Sequence, residues 1–140
     1  MLARVADFTA DFASIRRVRE AVFIDEQRVP RELEFDERDP LCVHVLAFDG
    51  DAPVATGRLD LDYGGKVGRV AVVATHRRCG VGTAVMEALH TLARERKLSR
   101  LWCNAQLTAV PFYERLGYVS SGPVFVEAGI DHRRMDYVLR

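Results

Sequence analysis

The apolar residues of this chain recur with two spacings, one typical of strands and one typical of helices. Residues 67–74 are mostly apolar and rich in valine, which favours a buried strand over a helix. After Gly80, apolar residues recur at three- and four-residue intervals, which predicts a helix with one buried face. The members of this stripe are Val81, Ala84, Val85, Ala88, Leu89 and Leu92. The pattern therefore predicts a strand, a polar loop and a helix in succession.

The same criteria predict the elements on either side of this unit. Strands are expected at residues 2–6, 42–48, 54–62, 101–106, 118–126 and 133–139. Helices are expected at residues 13–24 and 108–116, the second capped by Thr108 and ended by Gly117. The acidic stretch 25–40 predicts a loop with one helical turn, and residues 129–132 are expected between the last two strands. Because a strand–helix–strand crossover requires parallel pairing, the order predicts a mixed α/β sheet.

The composition narrows the classes of function. Lysine plus arginine equal aspartate plus glutamate, 20 each, so nothing favours nucleic-acid binding. The sequence has no apolar run of about 18 residues and no apolar core of a signal peptide. The three cysteines (Cys42, Cys79 and Cys103) and the four histidines follow no metal-ligand spacing. We therefore expect one cytoplasmic domain over residues 1–140, with no metal, no membrane and no nucleic-acid partner.

The loop between the predicted strand and helix carries basic residues and glycines. His76, Arg77 and Arg78 stand in a row, and Gly80 and Gly82 follow them. The first turn of a helix has N–H groups without partners, and glycines let an anion approach them. The spacing is neither that of a P-loop nor the GxGxxG of dinucleotide folds. It predicts a phosphate-binding loop, although an ordinary tight turn before a helix has the same composition.

Two motifs together resemble the GNAT superfamily of N-acetyltransferases. The first is Arg77-x-x-Gly80-x-Gly82 behind the strand Val70-Ala71-Val72, which is similar to the acyl-coenzyme A loop of that superfamily. The second is Asn104-Ala105-Gln106 followed by Pro111-Phe112-Tyr113 and Gly117-Tyr118. Residues 22–30 and 127–132 resemble the small bacterial YjcF/ElaA-like members, so the resemblance covers nearly the whole chain. Arg78 departs from the pattern, which most often has glycine at that position.

This resemblance implies a fold and a coenzyme site. The fold would be a mostly antiparallel, twisted α/β sheet of six to seven strands with about four helices and a splayed central pair of parallel strands. Acetyl-CoA would lie in the splay, with its pantetheine arm along strand backbone and its pyrophosphate at the loop. The residues expected to bind it are Val70, Ala71, Val72, Arg77, Arg78, Cys79, Gly80, Val81, Gly82, Thr83, Asn104, Phe112 and Tyr113.

The resemblance also implies direct transfer of the acetyl group to a primary amine, on a small molecule or a peptide. Tyr113 fits the position of a general acid that protonates the departing thiolate. The motifs do not fix the general base, for which Glu26, Glu34 and Asp36 are the candidates, with Asp39 and His44 behind them and a water chain as another route. Each has an ordinary alternative, namely surface charge for the carboxylates and helix packing for Tyr113. The acidic stretch as a whole would attract a cationic amine.

Two other functions stay open at this point. Arg19-x-x-x-Phe23, Asp36-x-x-Asp39 and Gly57-Arg58 resemble the N-terminal pattern of acyl-homoserine lactone synthases, although this chain is expected to be far shorter than those enzymes. A non-catalytic acyl-CoA sensor would keep the loop and would not need Tyr113. The sequence leaves open the amine acceptor, the acyl chain length and whether a homodimer forms.

Overall fold

One sheet of seven strands organises the domain. The computed structural model of the protein describes residues 2–140. Its strands are β1 (Ala3–Ala6), β2 (Val43–Asp49), β3 (Ala52–Asp60), β4 (Lys66–Val72), β5 (Arg100–Gln106), β6 (Val119–Glu127) and β7 (Ile130–Val138). They lie in the order β1-β2-β3-β4-β5-β7-β6, and every neighbouring pair is antiparallel except β4 and β5. The predicted mixed, mostly antiparallel sheet with one parallel pair is therefore confirmed.

Helices cover both faces of this sheet. They are α1 (Phe12–Arg19), α2 (Arg31–Glu34), α3 (Val81–Glu95) and α4 (Val110–Arg115), and α1 continues directly into a π-helical segment, Glu20–Glu26. The main core lies between α3 and the sheet, and it includes Val85, Leu89 and Leu101. A second core joins Val18 and Val22 to Ala71 on the opposite face. We call these two sides the α3 face and the α1 face.

The parallel pair separates soon after it begins. β4 and β5 are paired only at Lys66 with Trp102 and at Val67 with Cys103, so the rest of both strands borders a gap. On its other side β4 carries a bulge, because its register against β3 jumps by one residue between Gly68 and Ala71. The bulge contains Arg69 in the left-handed region at φ 52°, where a non-glycine residue is uncommon. The predicted splay is therefore present, and the bulge lies where it opens.

Several predicted boundaries differ from the observed ones. The first helix changes to π-helical geometry at Glu20, which no periodicity of apolar residues announces. Thr108 lies inside a 3₁₀ turn and Ala109 is the residue that precedes α4, so Thr108 is not its cap. The connection between the last two strands is shorter than expected, since β7 already begins at Ile130. Among residues 2–140 no helix is long and apolar enough to cross a membrane.

Candidate active site

The start of α3 presents backbone donors that have no partner in the protein. Gly80 precedes the helix in the left-handed region at φ 86°, and the first backbone bond of the helix is Ala84 N–H to the Gly80 carbonyl at 3.0 Å. Within residues 2–140, the N–H groups of Val81, Gly82 and Thr83 donate to no backbone carbonyl, and no side chain caps the helix. Three free N–H groups at the positive end of a 15-residue helix form a site suited to an anion.

Two arginines precede these donors, and among the described residues only one of them is paired with a carboxylate. Arg78 adopts a left-handed backbone at φ 60°. Glycine adopts this conformation more readily, which gives a physical reason why the GNAT loop pattern most often has glycine at this position. Its side chain forms no ion pair within residues 2–140. Arg77 instead holds the Glu26 carboxylate with two hydrogen bonds, at 2.7 and 3.0 Å. Both members of this pair are about two-fifths exposed, so water and salt weaken it.

The backbone of Val72 faces the gap between β4 and β5. Val73 N–H donates to the Val54 carbonyl at 2.9 Å, which makes Val72 and Ala55 a non-hydrogen-bonded pair. The N–H and C=O of Val72 therefore point away from β3, and its C=O accepts a hydrogen bond from Arg77 Nε at 3.0 Å. By the same register, Ala71 directs its backbone groups towards Thr56 of β3. Pairing with a coenzyme arm is thus available at Val72 and is already used at Ala71.

The wall of the gap on the α3 face is aromatic. A Cβ placed on Gly82 would lie 3.4 Å from the Phe112 ring and 3.4 Å from a methyl group of Val72, so the helix start, β4 and α4 meet at this glycine. The Phe112 ring packs edge to face on Tyr113 at 5.2 Å between centroids. This contact brings Tyr113 to the same wall as the free N–H groups of α3.

Tyr113 is a buried residue whose hydroxyl has no partner in the described part of the protein. The residue is 7% exposed, and its hydroxyl makes no hydrogen bond within residues 2–140. Burial raises the pKa of Tyr113, with a further contribution from the nearby Cys103 thiol. The phenol therefore stays protonated at any working pH, and it is a weaker acid than free tyrosine.

Three carboxylates of the acidic segment, residues 31–39, are paired with arginines from other parts of the chain. Arg19 is fully buried and donates to Glu34 at 2.8 Å and to Asp39 at 2.8 Å. Arg58 donates to the same Asp39 oxygen, Oδ1, at 2.7 Å and also to Asp36 at 2.8 Å. His44, one of the candidate bases, is buried against the same group and contacts the Asp39 carbonyl through Nε2 at 2.8 Å. We call Arg19, Glu34, Asp36, Asp39, Arg58 and Arg69 the ionic cluster.

Arg69 connects the ionic cluster to the bulge of β4. Its guanidinium donates to the backbone carbonyls of Leu33 and Glu34, at 3.2 and 3.0 Å, and to Asp36 at 3.1 Å. A left-handed conformation costs a non-glycine residue roughly 1–2 kcal/mol. These three hydrogen bonds offset that cost, so the acidic segment holds the bulge at the edge of the gap.

The predicted bases are therefore engaged by arginines. Burial raises the pKa of Glu34 in spite of Arg19 beside it, and its side chain is 5% exposed. Burial acts in the same direction on Asp36, where hydrogen bonds from Arg58 outweigh it and lower the pKa. Glu26 is held by Arg77. The assignment of these carboxylates as proton acceptors stays a prediction, and their contacts favour positioning roles.

The polar residues at the end of β5 face the α1 side. Gln106 and Gln27 exchange amide hydrogen bonds at 2.8 and 3.2 Å, which ties β5 to the end of the π-helical segment. Cross-strand partners share a face, so Asn104 with Arg134 and Gln106 with His132 line the α1 face beside the gap. Asn104 as a coenzyme contact stays a prediction. Gln27, Gln106 and His132 lie in stretches that resemble the family, but no role was predicted for them, because single polar residues in strands and turns give no periodic signal.

The remaining predicted coenzyme residues include one in the loop and one on β4. Cys79 is exposed, and its thiol donates to the His76 carbonyl at 2.7 Å. Val70 packs on the core of the α3 face beside the bulge. No group of three or more histidine, cysteine or acidic residues within 2–140 is placed to hold a metal ion.

Comparison with protein families identifies the class to which this fold and site belong. The chain is a member of the GNAT acetyltransferases, since the family model described as "Acetyltransferase (GNAT) domain" matches residues 10–139. The chain is similar to the uncharacterized N-acetyltransferase YjcF of Bacillus subtilis, with 44% identity over 120 residues that cover 84% of this chain and 86% of YjcF. The predicted family membership and its YjcF-like character are confirmed.

Solved structures agree with the fold. Escherichia coli ElaA superposes with a TM-score of 0.85 at 24% identity, over 97% of this chain and 99% of that one. A CoA-dependent acyl-homoserine lactone synthase superposes with a TM-score of 0.79 at 16% identity, over 99% of this chain and 83% of that one. At these identities the likeness concerns the fold alone. The difference in length from the synthase is smaller than the sequence analysis expected, so length separates the two functions poorly.

Proposed function

We propose that this protein transfers an acetyl group from acetyl-CoA to a primary amine. The observation that carries this proposal is the start of α3, where three unpartnered backbone N–H groups border a gap that passes through the sheet. Membership of the GNAT acetyltransferases supports the same class of reaction. A gap joining the two faces lets the coenzyme enter from the α3 face and the amine from the α1 face.

The coenzyme would be held largely by backbone. Its pyrophosphate would accept hydrogen bonds from Val81, Gly82 and Thr83, with the free guanidinium of Arg78 nearby. Its pantetheine amides would pair with the N–H and C=O of Val72, as an added strand does. Arg77 must release the Val72 carbonyl for this pairing, and it must also leave Glu26 before its guanidinium can bind the phosphates.

Transfer requires three changes at the reacting atoms. The acceptor ammonium loses a proton, the amine nitrogen attacks the thioester carbonyl, and the C–S bond breaks to leave a thiolate. Tyr113 would donate a hydrogen bond to the sulfur as negative charge develops on it. Since burial raises the pKa of Tyr113, the phenol stays neutral and keeps its O–H available as a hydrogen-bond donor to the sulfur.

The ionic cluster would hold other parts of the site in position and would take no direct part in the reaction. It fixes the acidic segment against β3 and β4, and through Arg69 it holds the bulge beside the gap. Its carboxylates are matched by arginines, so they supply little free negative charge to attract an amine. We therefore assign Glu34 and Asp36 to shaping the acceptor side of the gap.

Acyl transfer of the kind performed by acyl-homoserine lactone synthases is the second candidate. It is favoured by one observation, namely that Arg19, Asp39 and Arg58 of the resembling pattern meet in a single buried cluster. The charged groups of that cluster are paired with one another. The cluster is therefore better evidence for how the acidic segment is held than for binding of the substrate of such a synthase.

The test is an acetylation screen with acetyl-CoA and a panel of primary amines, including polyamines, amino sugars, amino acids and peptides. Release of free thiol measures turnover, and mass spectrometry of the product locates the acetyl group. We expect amine-dependent thiol release with an N-acetylated product. Coenzyme binding without turnover across the panel would favour a sensor, and turnover only with S-adenosylmethionine and longer acyl donors would favour the second candidate.

A further inference from the structure

His132 is a buried histidine that lies next to the gap on the α1 face. It is 6% exposed. Its cross-strand partner on β5 is Gln106, whose amide donates a hydrogen bond to Gln27. Ile130, two residues earlier on β7, packs against the core that contains Val22 and Ala71. The turn of the β6–β7 hairpin thus closes against the π-helical segment, and it brings the His132 ring to the side of the sheet from which an amine would enter.

The contacts of the ring determine which nitrogen carries the proton. His132 Nδ1 lies 2.7 Å from the Ile130 carbonyl oxygen. A carbonyl can only accept, so Nδ1 carries the hydrogen and a neutral ring has its lone pair on Nε2. Nε2 makes no hydrogen bond within residues 2–140, and since no fully buried side-chain nitrogen there lacks a partner, Nε2 reaches solvent.

A carboxylate stands where it would stabilise the protonated ring. Glu127 Oε2 lies 3.8 Å from His132 Nε2, which is too long for a hydrogen bond in the neutral state and close enough for attraction once the ring is charged. Phe125 stacks on the ring at 5.9 Å between centroids and fixes its plane. The other groups facing this side are the neutral amides of Asn104, Gln106 and Gln27, the Arg134 guanidinium, which is paired with Asp136, and Glu26, which is paired with Arg77.

We propose that His132 is the general base of amine acetylation, with Nε2 taking the proton that the acceptor ammonium must lose. The neutral amine then forms the new C–N bond at the thioester carbonyl, and the C–S bond breaks. The nitrogen of the tetrahedral intermediate loses its second proton to solvent, Tyr113 gives its proton to the thiolate and is reprotonated by solvent, and His132 returns its proton to solvent. One proton is released for each acetyl group transferred. This inference rests on the proposed acetyl transfer, and it assigns to His132 the role that the paired carboxylates are poorly placed to fill.

Two matched amines test the role. Ethylamine is an ammonium ion near neutral pH, whereas 2,2,2-trifluoroethylamine has a similar size and is mostly neutral, so it has little need of a base. For His132→Gln we expect kcat/KM to fall about 10²-fold with ethylamine and less than about threefold with trifluoroethylamine. The dependence of kcat/KM on pH should also differ between His132→Gln and the wild type. Asp131→Asn, an exposed neighbour on the other side of β7, is the control and should change neither rate.

Equal losses with both amines, or a wild-type pH profile in His132→Gln, would overturn the assignment while leaving acetyl transfer intact. A wild-type enzyme that binds acetyl-CoA and acetylates no amine of the panel, these two included, would overturn the proposed function, and this inference with it. A second measurement uses the wild-type protein, so it does not depend on folding of the variant. The ¹⁵N resonances of the neutral His132 ring should show hydrogen on Nδ1, and hydrogen on Nε2 would contradict the proposal.

Discussion

The start of α3 and the acidic segment both concentrate charge, and the structure uses that charge in opposite ways. At the start of α3 the backbone donors and Arg78 have no partners within residues 2–140, and the ion pair of Arg77 with Glu26 is exposed. In the acidic segment every carboxylate of the ionic cluster meets at least one arginine, and Arg19 is fully buried. Charge that is satisfied internally maintains a shape, and charge that is left unsatisfied beside a gap is available to a ligand.

This difference revises the simplest interpretation of the sequence. An acidic stretch beside a thioester suggests attraction of a cationic amine, yet Arg19, Arg58 and Arg69 cancel most of its field. The carboxylates are instead connected to the bulge of β4 through Arg69. The acidic segment therefore contributes to function by holding the edge of the gap.

The largest effect should come from removing Arg19. Arg19→Met keeps most of the apolar stem of the side chain and leaves Glu34 and Asp39 buried without one of their cations, so the free energy of unfolding should fall by about 3–5 kcal/mol. Urea denaturation measures this change. Arg16→Met is the control, because Arg16 is on the same helix and exposed, and it should change stability by less than about 0.5 kcal/mol. Equal effects of the two substitutions would remove the contrast between satisfied and free charge.

A smaller effect is expected at Tyr113, which lies on the wall of the gap. Tyr113→Phe keeps the ring and its packing on Phe112 and removes the proton, so kcat should fall roughly 10- to 100-fold while the Kd of acetyl-CoA changes little. With an acyl donor whose thiol is more acidic, the substitution should lower kcat by a smaller factor, because a better leaving group needs less help. Single-turnover measurements with both donors separate this effect from product release. Equal losses would assign Tyr113 to packing.

The smallest effect concerns the exposed pair of Glu26 and Arg77. If Glu26 competes with phosphate for Arg77, Glu26→Gln should lower the Kd of acetyl-CoA about two- to fivefold, as expected for an exposed ion pair worth about 0.2–1 kcal/mol. The gain should disappear at high salt. Glu32→Gln, which changes an exposed carboxylate of the acidic segment, should leave the Kd unchanged in the same calorimetry. Weaker binding by Glu26→Gln would instead mean that the carboxylate orients Arg77 for the coenzyme.

The sequence was most informative where a period or a motif is present. The stripe from Val81 to Leu92 predicts α3, and Gly80 with Gly82 predicts its unpartnered start, since both signals are local. The pairing inside the ionic cluster was not predictable in the same way, because Arg19, Asp39 and Arg58 come from different elements and meet only after the sheet has formed. His132 was placed outside a strand for a related reason. The turn at Ala128 and Gly129 is tighter than its composition indicates, and it returns the chain to the sheet by Ile130.

Calorimetry of acetyl-CoA binding to a pair of Gly82 variants tests the central claim, that the free start of α3 binds the coenzyme. A side chain at Gly82 would contact Phe112 and Val72 at about the van der Waals limit, so Gly82→Ala reports the steric effect and Gly82→Asp adds a negative charge. We expect Gly82→Ala to weaken binding less than about tenfold and Gly82→Asp to weaken it on the order of a further hundredfold, since like charges would face each other at the helix start. Binding by Gly82→Asp that equals binding by Gly82→Ala, with both variants folded, would place the coenzyme elsewhere and contradict the account.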